Sequence, residues 1–222
     1  MTEFNYAHKN TENGERTTKT APLNKPQISE EIQALRQNAF KAEIPVSDDE
    51  TLNFLCTLIA ALKPCNILEL GTAVGVSGAA MLQGCAFAHL TTVERDENFY
   101  KAAKENFKSL NIDGRVTAVS GDAGEVIASL PEGGYDFIFL DCAKVQYIKY
   151  LPRLKKLLKK GGVLLADDVL LFGYITGEAE APKKRKMLVE HIKEYIAAVT
   201  DDEELYTTIL DIGNGVAMSV KK

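Results

Sequence analysis

The stretch NILELGTAVGVSG (residues 66–78) decides the fold. NILEL is a short apolar run of strand type, and GTAVGVSG turns straight into a segment with helical character over about 75–84. Glycines at a strand-to-helix turn let the backbone approach a ligand closely and leave the helix N-terminus free for polar contacts. Such turns also occur with no ligand, and dinucleotide-binding domains carry similar ones, so the loop alone fixes no function.

Outward from this stretch the same alternation repeats. LTTVE (90–94), VTAVS (116–120), YDFIFLD (135–141) and GVLLADD (162–168) read as further strands, separated by helical stretches at about 97–110, 123–130 and 144–159. Near-continuous apolar strands alternating with helices predict an α/β fold, a doubly wound, mainly parallel sheet with helices on both faces. After a last helix at about 182–199, ELYTTILDI and GVAMSVKK flank the turn Gly213-Asn214-Gly215, which predicts an antiparallel hairpin closing one edge of a seven-stranded sheet. Upstream, SEEIQALRQNAF begins with a capping-type Ser29, and after the extended break IPV (44–46), Ser47 and Asp48 can cap SDDETLNFLCTLIAALK. Residues 1–26, rich in Thr, Asn, Lys and Glu, read as a mobile tail, and 27–222 as one domain.

Composition narrows the class. Apolar residues make up 45% and charged residues 26%, ordinary values for a soluble globular chain. No apolar run reaches the roughly 20 residues of a membrane helix, and the polar N-terminus has no signal core, so the expectation is a cytoplasmic protein. The cysteines at 56, 65, 85 and 142 show no CxxC spacing and no nearby histidine pairing, which argues against zinc or a disulfide framework. Cys56, Cys65 and Cys85 lie in apolar surroundings and read as buried packing. A net charge of −5 disfavours wholesale coating of nucleic acid, though a local basic patch can still bind a polyanion.

Acidic residues at strand ends carry the chemistry. Glu94 ends the second strand, where a carboxylate can accept both ribose hydroxyls of an adenosine. Asp122, in GDAGEVI after the third strand, is placed to reach an adenine amino group, and Glu69, just before the glycine turn, to meet a cationic amino-acid moiety. A pyrophosphate at that turn would be disfavoured by Glu69. Sulfonium and ammonium are positive, so a ring of carboxylates fits S-adenosylmethionine better than NAD. Asp141 ends the fourth strand and Asp167-Asp168 the fifth, a set with no His or Cys that suits a hard cation such as magnesium, manganese or calcium. The competing reading pairs these aspartates with nearby amides or with Lys144, three residues after Asp141 and able to face the same pocket. A metal-bound hydroxyl losing its proton to or beside Lys144, then attacking a sulfonium methyl, is the chemistry this cluster suggests.

These residues, from IPV through ELGTAVGVS, VERD, GDA, DCAK and DDVLLFG, resemble the metal-dependent O-methyltransferases of the catechol and caffeoyl-CoA type, over nearly everything from about residue 28 onward. The resemblance implies a Rossmann-like methyltransferase fold and a homodimer. It implies Asp141, Asp167 and Asp168 as metal ligands and Lys144 as catalytic base, with Asp141 also facing the cofactor. It further implies Val46, Glu69, Gly71, Ser77, Glu94, Asp122 and Ala123 as contacts of S-adenosylmethionine. The family usually has Asp-Asn where this chain has Asp167-Asp168, and the third carboxylate makes the site more anionic.

Within the family, DCAKVQY, DDVLLFG, APKKRKMLVEHIKEY (181–195) and ILDIGNGVAMSVKK are similar to the short bacterial members that methylate 5-hydroxyuridine at the wobble position of transfer RNA. There a hydroxyl adjoins a carbonyl, and the two oxygens can chelate one metal as a catechol does. Lys183, Lys184, Arg185 and Lys186 offer a phosphate patch for the anticodon loop, with Lys155, Lys156, Lys159 and Lys160 as possible members. The bland alternative is a solvated helix start, although positive charge is unfavourable at a helix N-terminus. A small catechol or phenol is the alternative acceptor, and a non-enzymatic nucleoside-binding regulator the distant one.

Overall fold

The computed structural model describes residues 27–222 and the backbone of two short antiparallel strands, β1 (Asn10–Glu12) and β2 (Glu15–Thr17). The mobile tail expected over 1–26 otherwise lies outside the described residues. Helix α1 (Glu30–Lys41) starts where Ser29 accepts from the Ile32 N–H, and α2 (Asp49–Leu62) where Asp48 accepts from the Thr51 N–H at 2.8 Å. Both caps satisfy N–H groups that the first helical turn leaves orphaned.

Five parallel strands follow, β3 (Asn66–Leu70), β4 (His89–Glu94), β5 (Val116–Ser120), β6 (Tyr135–Leu140) and β7 (Leu158–Ala166). Between them run α3 (Val76–Gly84), α4 (Glu97–Ser109), α5 (Ala123–Ser129) and α6 (Tyr147–Leu157). Then come α7 (Lys186–Thr200) and the hairpin β8 (Leu205–Leu210) and β9 (Val216–Lys221). The seven-stranded sheet has the order β5-β4-β3-β6-β7-β9-β8, with β9 antiparallel to both β7 and β8, the closing hairpin that the turn at 213–215 predicts.

The apolar strands are continuous because both sheet faces are covered. Leu68, Leu70, Ile138, Leu140 and Leu164 pack with α6 and α7 on one face, while Ile67, Phe137, Phe139, Val163 and Leu165 pack with α2 and α3 on the other. Alternate residues of each strand thus feed two separate cores.

Two boundaries differ from the sequence reading. Helix α6 ends at Leu157 and β7 begins at Leu158, because both leucines are buried in the core and the chain is already extended there. Tyr135 pairs with Leu158 but Phe137 with Val163, so Lys159–Gly162 bulge from the ladder. The expected helix at 144–159 opens as a 3-10 turn, Lys144–Gln146. Cys85 is buried and Cys56 half-buried as packing requires, but Cys65 is exposed. Its N–H donates to Asp136 Oδ2 at 3.0 Å, which ties the backbone at the amino edge of the sheet and leaves the thiol outside the core.

From β3 the chain winds to β4 on one side, while β6 lies on the other. This reversal opens a crevice at the carboxyl ends of β3 and β6, the place where ligands bind in open α/β sheets. Among the described residues, no helix is long and apolar enough to cross a membrane.

Candidate active site

Backbone hydrogen bonds carry the sheet ladder one residue past the strand ends and fix the site residues. Gly71 N–H donates to Val93 O (3.0 Å), Asp141 N–H to Leu70 O (2.9 Å) and Asp167 N–H to Leu140 O (3.0 Å). Gly71 has φ +103°, and a Cβ there would lie 2.0 Å from the Asp141 carbonyl oxygen, so the close approach of two strand ends requires glycine. Tyr147, fully buried, donates its hydroxyl to Leu140 O at 2.8 Å and lies 3.2 Å from Asp167 O, clamping the ends of β6 and β7 together.

A cavity of about 620 Å³ opens over these ends, and Val46, Gly71, Glu94, Asp122, Ala123, Asp141, Lys144, Asp167 and Asp168 all line it. Glu94 Oε2 accepts from the Ala73 N–H and Oε1 from the Asp96 N–H, each at 2.9 Å, so its carboxylate organises the loops on both sides. Asp122 Oδ1 accepts from the Gly124 N–H at 2.8 Å and caps α5.

Two expected cofactor residues lie elsewhere. Glu69 is fully buried and Ser77 nearly so, and neither lines the cavity. Glu69 Oε1 accepts from the Ser77 hydroxyl and Oε2 from the Thr92 hydroxyl, both at 2.6 Å, forming a polar node beneath the glycine turn. Burial pushes the Glu69 carboxyl up to about 7, with Asp141 and Glu94 adding to the rise and the two hydroxyls opposing it.

Two of the three aspartates meet around one ammonium, while Asp167 Oδ1 accepts from the Asp168 N–H at 2.8 Å. Lys144 Nζ lies 2.6 Å from Asp141 Oδ1 and 3.0 Å from Asp168 Oδ2. Burial disfavours the charge on Lys144, but Tyr147, Asp141 and Asp168 outweigh it and hold the amine protonated well above its usual range. An ammonium in this position can stabilise an oxyanion, and to act as the expected base Lys144 must first lose this proton. Asp167 is 4% exposed, and burial, then the like charges of Asp141 and Asp168, push its carboxyl well above the usual range. Among the described residues, no group of three His, Cys, Asp or Glu side chains is arranged so as to hold a metal ion. The donor chemistry nevertheless suits a hard cation, since three carboxylates gather where, among the described residues, Lys144 is the one ammonium and it pairs with only two of them.

Asp48, Tyr150, Phe172 and Asn214 also line the cavity and were not singled out by sequence reasoning. Phe172 lies in DDVLLFG and Asn214 in the glycine turn, stretches whose motifs were visible while these side chains' roles were not. Leu171 (φ +47°), Phe172 (φ +58°) and Gly173 (φ +85°) are successively left-handed, unusual for bulky residues and a local strain at the cavity rim.

The basic run divides. Lys183–Arg185 form a 3-10 turn leading into α7, and the Arg185 guanidinium lies 5.6 Å from the centre of the Phe172 ring and 5.9 Å from that of Tyr174. Lys155, Lys159 and Lys160 do not extend this patch. They lie where α6 passes into β7, at the opposite end of the sheet from the cavity, with Lys155 paired to Asp202 and Lys159 to Asp136. Lys156 shares that end and lies 3.9 Å from Glu132.

The O-methyltransferase family model matches residues 19–222. A Mycobacterium marinum protein provisionally named O-methyltransferase is 30% identical over 157 residues, 70% of this chain and 68% of its own. The crystal structure of a Staphylococcus aureus protein, provisionally named caffeoyl-CoA O-methyltransferase, superposes with a TM-score of 0.80 at 32% identity, covering 88% of this chain and 94% of that one. A Bacillus cereus O-methyltransferase in complex with SAH has a TM-score of 0.77 at 23% identity, over 88% of this chain and 92% of that one.

Proposed function

The chain belongs to the O-methyltransferase family and is an S-adenosylmethionine-dependent methyltransferase, and from that premise we propose that it acts with a divalent cation on 5-hydroxyuridine at the wobble position of transfer RNA. One observation carries the choice of acceptor. Arg185, within the basic run 183–186, stacks over Phe172, which lines the cavity, so phosphate-binding charge adjoins the acceptor rim. The cytoplasm, where transfer RNA is modified, and the homodimer implied by resemblance belong to the same reading.

A bound S-adenosylmethionine would supply an electrophilic sulfonium methyl, the S–C bond electrons leaving with sulfur as the acceptor oxygen takes the methyl. Asp141, Asp167 and Asp168 would hold magnesium, or manganese or calcium in its place, and the bound ion would lower the pKa of the acceptor hydroxyl. The hydroxyl proton leaves to solvent water, and Lys144, as an ammonium, stabilises the acceptor oxyanion that remains. Glu94 and Asp122 position the nucleoside end of the donor, and Val46 and Gly71 its amino-acid end. The locked strand ends keep donor and acceptor in one geometry, which supplies much of the rate.

Membership of an enzyme family sets aside the non-enzymatic regulator. A small catechol or phenol remains a second reading, favoured by the caffeoyl-CoA in the name of the S. aureus protein. Incubation with labelled methyl donor, with and without EDTA, separates these readings when bulk transfer RNA containing 5-hydroxyuridine or a catechol is offered. Label in the RNA that EDTA abolishes is the expected result. Efficient turnover of the catechol with none of the RNA would overturn the transfer-RNA reading.

A further inference from the structure

We infer that Asn214 reads the base edge of the acceptor, accepting from the uracil N3–H through Oδ1 and donating to an adjacent carbonyl through Nδ2. This inference rests on the hydroxyuridine reading above and names how that site selects its ring. Asn214 is carried by the hairpin turn between β8 and β9, yet it lines the same cavity as Lys144, Asp168 and Phe172.

The turn is held as a rigid platform. Leu170 N–H donates to Asn214 O at 2.8 Å, and Val169 N–H to Gly215 O at 2.9 Å, which ties the turn to the segment that follows Asp168. On the other side Gly213 N–H donates to Glu50 Oε2 at 2.9 Å. A Cβ at Gly213 would lie 2.3 Å from Asp48 Oδ2, and one at Gly215 would lie 2.2 Å from Leu170 Cγ, so the turn packs tightly on both flanks. Both glycines have positive φ, +57° and +89°. The backbone of Asn214 is therefore fixed relative to Asp168.

The side chain is left to a ligand. Asn214 is half-buried, and among the described residues its amide makes no hydrogen bond. An amide presents one acceptor and two donors side by side. The imide edge of uracil presents the complementary N–H and C=O, whereas a catechol has no such edge. Single-stranded RNA bases are commonly recognised by stacking combined with hydrogen bonds on the Watson–Crick edge, and Phe172 supplies an aromatic ring lining the same cavity. A group placed to pair with one N–H discriminates against an analogue that lacks it, because the amide is then left unpaired.

The test uses the full chain and two anticodon stem-loop RNAs, one with 5-hydroxyuridine at the wobble position and one with its N3-methyl derivative. In the wild-type protein, N3-methylation should lower kcat/KM by about ten- to hundred-fold. Asn214→Ala should lower kcat/KM for the unmodified RNA by a similar factor and lose the discrimination, and the ratio of RNA to catechol turnover should fall with it. Asn214→Asp keeps the shape and the acceptor oxygen, so it should retain dependence on N3–H while losing the donor's share. An alanine variant that still discriminates fully against N3-methylation would overturn the inference and leave the transfer-RNA reading standing. Wild-type protein that turns over catechol but neither RNA would instead overturn that reading and this inference together.

Discussion

The Ser77 hydroxyl donates to Glu69 Oε1 at 2.6 Å, so the acidic residue next to last in β3 is spent on an internal hydrogen bond below the cavity floor. With its other oxygen bonded to Thr92, Glu69 helps to shape the glycine turn from below. Its carboxyl is raised by burial from 4.5 to about 7. A carboxyl raised in the folded state keeps its proton longer there, so its stabilising contribution is complete below about pH 4.5 and is lost as pH rises through about 7. Ionising so buried a carboxyl costs about 3 kcal/mol. Wild-type Tm should therefore fall more steeply between about pH 5 and 8 than that of Glu69→Gln, which has no proton to lose. Parallel Tm profiles for the two proteins would refute the assignment.

Glu94 bonds two loop N–H groups and still faces the cavity. Glu94→Ala should weaken binding of S-adenosylmethionine by about 1–3 kcal/mol, the range for a lost buried polar partner. Calorimetry is the measurement, with Tm as a control for the loosened loops. Unchanged affinity would count against the ribose assignment.

Asp141 and Asp167 project from adjacent strand ends that Tyr147 clamps. Asp141→Ala or Asp167→Ala should abolish methyl transfer while circular dichroism shows the fold retained. Cofactor affinity should change less than turnover, because the proposed metal ligands face the acceptor. Full activity in excess chelator would sink the metal mechanism.

Asp168 adopts φ +59°, a conformation that Asp and Asn tolerate better than other side chains. Asp168→Asn should therefore fold normally and remain active, with a changed ratio of magnesium to manganese affinity. One carboxylate beside Lys144 is removed, so the amine should also be less strongly held in its protonated form. Complete loss of activity would show that the family's usual Asn has no functional equivalent here.

The parallel core of the fold was legible because its strands are apolar on both faces and its helices carry Ser and Asp caps in sequence. Asp141, Lys144 and Asp168 were legible as a cluster because strand ends in such a sheet converge. What sequence could not give was depth. Glu69, next to last in β3, and Glu94, last in β4, are the same residue type near the ends of neighbouring strands, yet one is buried beneath the turn and the other lines the cavity. The difference lies in the partners Ser77 and Thr92, which are remote in sequence from one another. Lys155 and Lys183 likewise look alike in a charge count. The strand direction of β7 places the first at the amino end of the sheet, whereas Arg185 anchors the second's turn at the cavity rim. Asn214 was visible only as part of a turn, because the register of an antiparallel hairpin against β7 is what carries it to the site.

The basic turn provides the final test of the acceptor. Lys183, Lys184 and Lys186 have no aromatic stacking partner among the described residues, whereas Arg185 lies over Phe172 and Tyr174. If the lysines hold phosphates near the anticodon loop, replacing all four basic residues by Gln should raise the KM for transfer RNA. It should also flatten the dependence of binding on salt, because each lost phosphate contact removes roughly 0.7–0.9 from the log–log slope. A catechol has no phosphates, so the ratio of kcat/KM for RNA to that for catechol should fall. Misfolding would depress both activities and leave that ratio near its wild-type value. Arg185→Gln alone should separate the two functions of the turn. It removes one charge from the patch but also the stack behind Phe172, so its cost in kcat should exceed that of any single lysine replacement. Equal kinetic effects of Arg185→Gln and Lys184→Gln would mean that the stack does not shape the acceptor rim and that the turn acts through charge alone.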